Sequence, residues 1–227
     1  MGWDPGDVFR FVDVLGVVAN GLLGGAVARS RRFDLFGFAT LAIISALGGG
    51  MLRDVLLDAG QPVALTDPAY LSGALVAAAL AYVLHLDGPV SRRLLVVADL
   101  LALGCWSATG TLKATGTGLG VVPSVLLGVI TAVGGGMVRD VVVGQTPRVF
   151  GGNTLYATLA IGGSAVAFGA AGLGQPDLGM GASIGLCLLL GLAARRLGWM
   201  LPEPLDVTLR FPRVTVRRFG RRRRSRS

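Results

Sequence analysis

Seven long apolar runs, separated by short clusters of charge, glycine and proline, take up most of this chain. They cover approximately residues 8–28, 34–57, 69–86, 94–114, 119–143, 154–172 and 179–199. The breaks fall at Arg29-Ser30-Arg31-Arg32, Gln61-Pro62, Asp87-Gly88-Pro89, Gly116-Thr117-Gly118, Gln145-Thr146-Pro147 and Gln175-Pro176. Each supplies the charge, Gly or Pro that ends a helix. A tilted helix needs about 17–25 apolar residues to cross a hydrocarbon core about 30 Å thick. The pattern predicts an all-α, polytopic membrane protein of seven transmembrane helices.

A second pattern lies inside the first. Gly48-Gly49-Gly50-Met51-Leu52-Arg53-Asp54-Val55 returns 86 residues later as Gly134-Gly135-Gly136-Met137-Val138-Arg139-Asp140-Val141. From Ser45 to Val55, eight of eleven residues are identical at that offset, and the exceptions are Ser/Thr, Leu/Val and Leu/Val. Asp13/Asp99, Gly24/Gly110 and Ala28/Ala114 recur at the same spacing. The repeat unit holds three spans, an odd number, so the second copy enters the membrane upside down relative to the first. The expected organisation is a first three-helix repeat over 1–86, a second, inverted one over 87–173, a seventh helix over 174–201 and a basic tail over 202–227.

Composition agrees with a membrane chain: 52% hydrophobic residues, 36 glycines, 15% charged residues and a mean hydropathy of +0.67. The net charge of +8 is concentrated in the tail, at Arg217, Arg218, Arg221, Arg222, Arg223, Arg224 and Arg226. A polybasic segment after a span meets anionic lipid or holds the tail in the cytoplasm; no nucleic-acid reader motif accompanies it. Alternate loops carry Arg29, Arg31 and Arg32, then Arg92 and Arg93, then Arg148, then Arg195 and Arg196. The opposite loops carry Asp4, Asp7, Asp58, Asp67 and Asp177. The positive-inside rule therefore places the N-terminus outside and the C-terminus in the cytoplasm of a cell membrane. Cys105 and Cys187 lie within apolar runs and form no disulfide framework.

Charge inside a span is costly and marks function. Arg53, Asp54, Arg139 and Asp140 all lie within predicted spans, directly after glycine triplets that each cost a helix roughly 1 kcal/mol per residue relative to Ala. We expect the helix to break at Gly48–Gly50 and at Gly134–Gly136, exposing carbonyls to a hydrated path. Ser45 and Thr131 would add hydroxyls to that path. Neighbours in sequence point about 100° apart on a helix, so Arg53 and Arg139 are expected to pair with Asp13 and Asp99, leaving Asp54 and Asp140 to face the path. A cross-repeat Arg53–Asp140 pair is the competing arrangement. Lys113 is read as snorkelling, with a gating charge as the alternative, and His85 as interfacial. No P-loop, metal-ligand spacing or nucleophile elbow is present, so neither catalysis nor a cofactor or metal is expected.

Residues 8–172 resemble the trimeric intracellular cation channel family in its prokaryotic branch. The resemblance rests on the twice-used Gly-Gly-Gly-Met-x-Arg-Asp, on Ser45, Thr131, Asp13 and Asp99, on Asp34-Leu35-Phe36-Gly37, and on Gly144-Gln145-Thr146-Pro147. It implies a homotrimer in which each protomer carries its own pore between kinked second and fifth helices, passing potassium and other monovalent cations. It assigns the pore to Gly48, Gly49, Gly50, Arg53 and Asp54 with Gly134, Gly135, Gly136, Arg139 and Asp140. The lysine-glutamate-glycine-glycine motif of animal members is absent. The alternative is a secondary transporter of a small solute such as glycine, because broken helices in inverted repeats are also transporter architecture and homologues of this branch are associated with glycine transport.

Overall fold

The computed structural model describes residues 5–84, 88–150 and 155–200. They form α1 (Pro5–Ser30), α2 (Leu35–Leu57), the single turn α3 (Val63–Thr66), α4 (Pro68–Val83), α5 (Pro89–Gly116), α6 (Val121–Val142), α7 (Tyr156–Gly172) and α8 (Pro176–Leu197). A short 3-10 turn at Arg148–Phe150 precedes α7. By length and composition α1, α2, α5, α6 and α8 can cross a membrane, while α4 and α7 are shorter apolar helices of 16 and 17 residues. The seven long helices match the seven apolar runs within a few residues. His85 and the basic tail over 202–227 lie outside the described residues.

Local chemistry sets the helix ends. Asp34 caps α2 by accepting a hydrogen bond from the Gly37 N–H at 2.8 Å, and Asp67 caps α4 through the Ala69 N–H at 3.0 Å. Pro68, Pro89 and Pro176 stand in the first turns of α4, α5 and α8, where their missing N–H leaves no helix bond unmade. Gly198 ends α8 in the left-handed conformation at φ 65°.

The helices are stacked as two similar groups. α1 packs on α2 and α4, and α5 packs in the same way on α6 and α7; α2 crosses α6 at the centre, and α8 covers α5 and α7. Arg10 near the start of α1 binds Asp67 at the start of α4 with Nε–Oδ2 2.6 Å, while Arg29 at the end of α1 donates to the Ala81 and Tyr82 carbonyls at the end of α4. Thus α1 and α4 run in one direction. The core at the crossing is built from small residues with a few large ones, among them Ala46, Leu47, Leu100, Leu103, Trp106, Ala132 and Val133. Large apolar side chains such as Leu15, Val76, Leu126, Ile161 and Leu189 cover the outside instead, as a lipid-facing surface requires.

Candidate functional site

The triglycines meet each other. α2 and α6 are continuous α-helices through Gly48–Gly50 and Gly134–Gly136, so the expected break is not there. A Cβ placed on Gly49 would collide with the Thr131 carbonyl oxygen, and one on Gly135 would collide with the Ser45 carbonyl oxygen. These two contacts are the same contact seen from either repeat, 86 residues apart. The glycines let the two backbones touch, which is the role of small residues at membrane helix crossings. Their Cα hydrogens are positioned against carbonyl oxygens, a geometry that adds a weak attraction. The third glycine of each triplet is different: a Cβ on Gly50 would meet nothing closer than an Arg53 nitrogen at 3.8 Å, and one on Gly136 an Arg139 nitrogen at 3.5 Å.

A small cavity with charged and apolar groups in its lining lies on each side of the crossing. One, of about 20 Å³, is lined by Asp13, Leu47, Gly50, Arg53, Asp54, Val63, Tyr70, Trp106 and Thr131 among others. The other, of about 30 Å³, is lined by Asn20, Asp99, Val133, Gly136, Arg139, Asp140, Val149, Tyr156 and Arg195 among others. Seven lining positions of the first, Asp13, Leu47, Gly50, Arg53, Asp54, Val63 and Tyr70, return in the second at the repeat offset. Each space holds about one water, and the two share no lining residue.

The first cavity, at the Asp54 end, is organised by one carboxylate. Asp54 Oδ1 accepts from Arg53 Nε at 2.8 Å and from Lys113 Nζ at 2.7 Å. Its Oδ2 accepts from the Val63 N–H at 3.0 Å, which starts α3. Arg53 and Asp54 are both 4% exposed. Asp13, 8% exposed, is held by neutral donors: Tyr70 Oη at 2.6 Å and Trp106 Nε1 at 2.8 Å. The second cavity, at the Asp140 end, repeats the theme. Arg139 Nε and Nη2 each reach Asp140 Oδ1 at 2.8 Å, Arg139 Nη1 donates to Ser45 Oγ at 3.3 Å, and Tyr156 Oη donates to Asp99 at 2.9 Å. Among the described residues, no buried side-chain nitrogen or oxygen lacks a partner.

Several expectations are corrected. Among the described residues, Arg53 and Arg139 form their ion pairs with the aspartates next to them in sequence, and Arg53 acts on Asp13 only at longer range. A long guanidinium side chain can fold back across the 100° between neighbouring Cβ directions, which the helical-wheel argument ignored. Asp54 and Asp140, at 4% and 2% exposed, line the two cavities but are each engaged by the arginine beside them. Lys113 does not snorkel to solvent but ends on Asp54. Ser45 and Thr131 are at the crossing as expected, yet both are buried, and the Thr131 hydroxyl donates to the Leu127 carbonyl at 2.6 Å. The sequence reading missed Tyr70, Tyr156 and Trp106. The two tyrosines had a signal: each follows its aspartate by 57 residues, once in either repeat.

Comparison with known proteins places this arrangement. A family model described as "Glycine transporter" matches residues 10–86 and 96–171. The UPF0126 inner membrane protein YadS of Escherichia coli strain K12 is 31% identical over 195 residues, covering 86% of this chain and 94% of that protein. A UPF0126 membrane protein of Deinococcus radiodurans is 35% identical over 156 residues, covering 68% of this chain and 73% of its own. The chain belongs to this membrane protein family. Solved structures give its fold a channel context. A structure described under "Structural basis for conductance through TRIC cation channels" superposes with TM-score 0.79 at 31% identity, covering 87% of this chain and 98% of its own. The TRIC trimeric intracellular cation channel orthologue of Rhodobacter sphaeroides gives TM-score 0.75 at 28% identity over 84% and 98% of the two chains. The prokaryotic branch suggested by the doubled glycine motif is therefore the right one. The chain is a multi-pass membrane protein, and its solved neighbours are channels rather than enzymes.

Proposed function

We propose that this protein is a cation channel permeable to potassium, with one path per protomer running beside the α2–α6 crossing and joining the two cavities. The observation that carries this reading is the matched pair of charged cavities on opposite sides of one crossing. Its support from outside is the likeness to the TRIC cation channels. Asp13 provides the attraction at one end: its carboxylate is hydrogen-bonded to the neutral donors Tyr70 and Trp106, and Arg53 in the same cavity offsets part of its field. The positive charges of Arg53, Lys113 and Arg139, each bound to an aspartate, limit how much cation accumulates.

The path residues are those of the doubled motif, Gly48, Gly49, Gly50, Arg53 and Asp54 with Gly134, Gly135, Gly136, Arg139 and Asp140, together with Ser45 and Thr131. Because the helices are unbroken, their carbonyls are engaged in helix hydrogen bonds, and side chains rather than the glycine backbone must replace ion hydration. The two cavities share no lining residue, and a path that joins them would open where α2 and α6 shift at their glycine contact. The fuller architecture belongs to the same proposal. It comprises seven spans built as two inverted repeats over 1–86 and 87–173 plus a seventh helix, a homotrimer in the inner membrane, an outer N-terminus, and a cytoplasmic tail that meets anionic lipid.

A second reading is a small-solute transporter. Two symmetry-related cavities with no lining residue in common suit alternating access, and the matching family model is described as a glycine transporter. Purified protein in planar bilayers and in proteoliposomes separates them. The channel reading expects discrete unitary potassium currents; saturable glycine counterflow without such currents would establish the transporter.

A further inference from the structure

The matched positions of the two cavities differ most at one place, while Arg195 of α8 lines only the Asp140 end. Trp106 of α5 lines the Asp54-end cavity, and the residue 86 positions earlier, Asn20 of α1, lines the Asp140-end cavity. At this position each repeat thus lends a residue to the other's cavity, with an indole on one side and a small amide on the other. The indole is locked: Nε1 donates to Asp13 at 2.8 Å, and Trp106 is 5% exposed. Asn20, equally buried, turns its amide to the Gly16 carbonyl at 3.5 Å instead of to a carboxylate. α1 makes room for the ring. A Cβ on Gly16 would lie 3.0 Å from Nε1 and 3.2 Å from Cε2, whereas the equivalent residue beside Asn20 is Ala102.

We infer that Trp106 sets the unitary conductance, making the Asp54-end cavity the narrower half of the path and the current–voltage relation asymmetric. This rests on the channel reading above. A flat apolar ring occupies space that hydrated ions would otherwise use, and it shields Asp13, which draws cations in. The Asp140-end cavity keeps a small polar group at the same place, so its resistance is lower. An ion moving from one side meets the constriction first, and from the other side meets it last.

The test is single-channel recording of the full-length protein in symmetric potassium chloride. Trp106→Asn, which copies the other repeat, should raise unitary conductance several-fold and make the current–voltage curve more nearly linear. Trp106→Phe keeps the bulk of a ring but loses the bond to Asp13, and should conduct like the wild type. Gly16→Ala removes no polar group; it pushes the ring into the cavity and should lower conductance, and it serves where Trp106→Asn fails to assemble. Unchanged conductance in both Trp106→Asn and Gly16→Ala, or a rise in Trp106→Phe equal to that in Trp106→Asn, would overturn the inference while leaving the channel standing. Absence of any current from the wild type would instead remove the channel reading, and this inference with it.

Discussion

Buried charge in this molecule is paired or hydrogen-bonded at each described residue, and the cost of disturbing it depends on what remains. Tyr70→Phe removes one donor from Asp13 and leaves the carboxylate on the Trp106 N–H alone. A buried acceptor deprived of a partner costs about 1–3 kcal/mol, so the melting temperature in detergent should fall, and Tyr156→Phe should do the same through Asp99. Lys113 is a different case because its side chain is one-third exposed and the remaining Arg53–Asp54 pair is intact without it. Lys113→Met should therefore change stability little and conduction more. With the Nζ gone, Asp54 holds α2 to α5 less firmly, and we expect a larger open probability in bilayer recordings; an unchanged open probability would make Lys113 a passive tether.

At the scale of the helix, the glycine triplets show how far sequence alone could go. The sequence repeat and the helix limits were legible, and the repeat singled out Gly48–Gly50 and Gly134–Gly136, whose middle glycines meet the opposite helix. What these glycines do was not legible, because helix propensity speaks only of the strand it is measured in. The roughly 1 kcal/mol per glycine that argues for a break is offset here by contact with a partner helix 86 residues away, which no local pattern shows. The Arg–Asp pairing was hidden for a related reason: Cβ directions fix where a side chain starts, not where a flexible guanidinium ends. Trp106 carried no signal at all, since only the folded molecule brings α5 into the first repeat's cavity. The structure now separates glycines the sequence treats alike. Gly49→Ala or Gly135→Ala forces a methyl into a backbone carbonyl and should destabilise by about 1–3 kcal/mol. Gly50→Ala or Gly136→Ala meets only an arginine tip at ordinary contact distance and should be neutral or stabilising by up to about 1 kcal/mol. Thermal unfolding of the four variants in one detergent checks the contrast.

For the molecule as a whole, the outer rim and the crossing contribute differently. The Arg10 guanidinium, with the Ala69 N–H, holds the Asp67 carboxyl down to about 2. A carboxylate with a lowered folded-state value stabilises above its unfolded value and loses that contribution as pH falls through the folded one. The staple between α1 and α4 should thus be intact at neutral pH and fade from about pH 4 toward pH 2. Asp67→Asn should flatten that part of the melting-temperature profile while leaving conduction at pH 7 unchanged. The crossing is where function is decided. Currents through purified, reconstituted protein carrying Gly135→Leu test that most directly, because leucine there wedges α6 away from the Ser45 carbonyl without touching a charge. The account predicts discrete potassium currents from the wild type and none from a variant that still inserts and assembles. Wild-type-like currents from Gly135→Leu would contradict it.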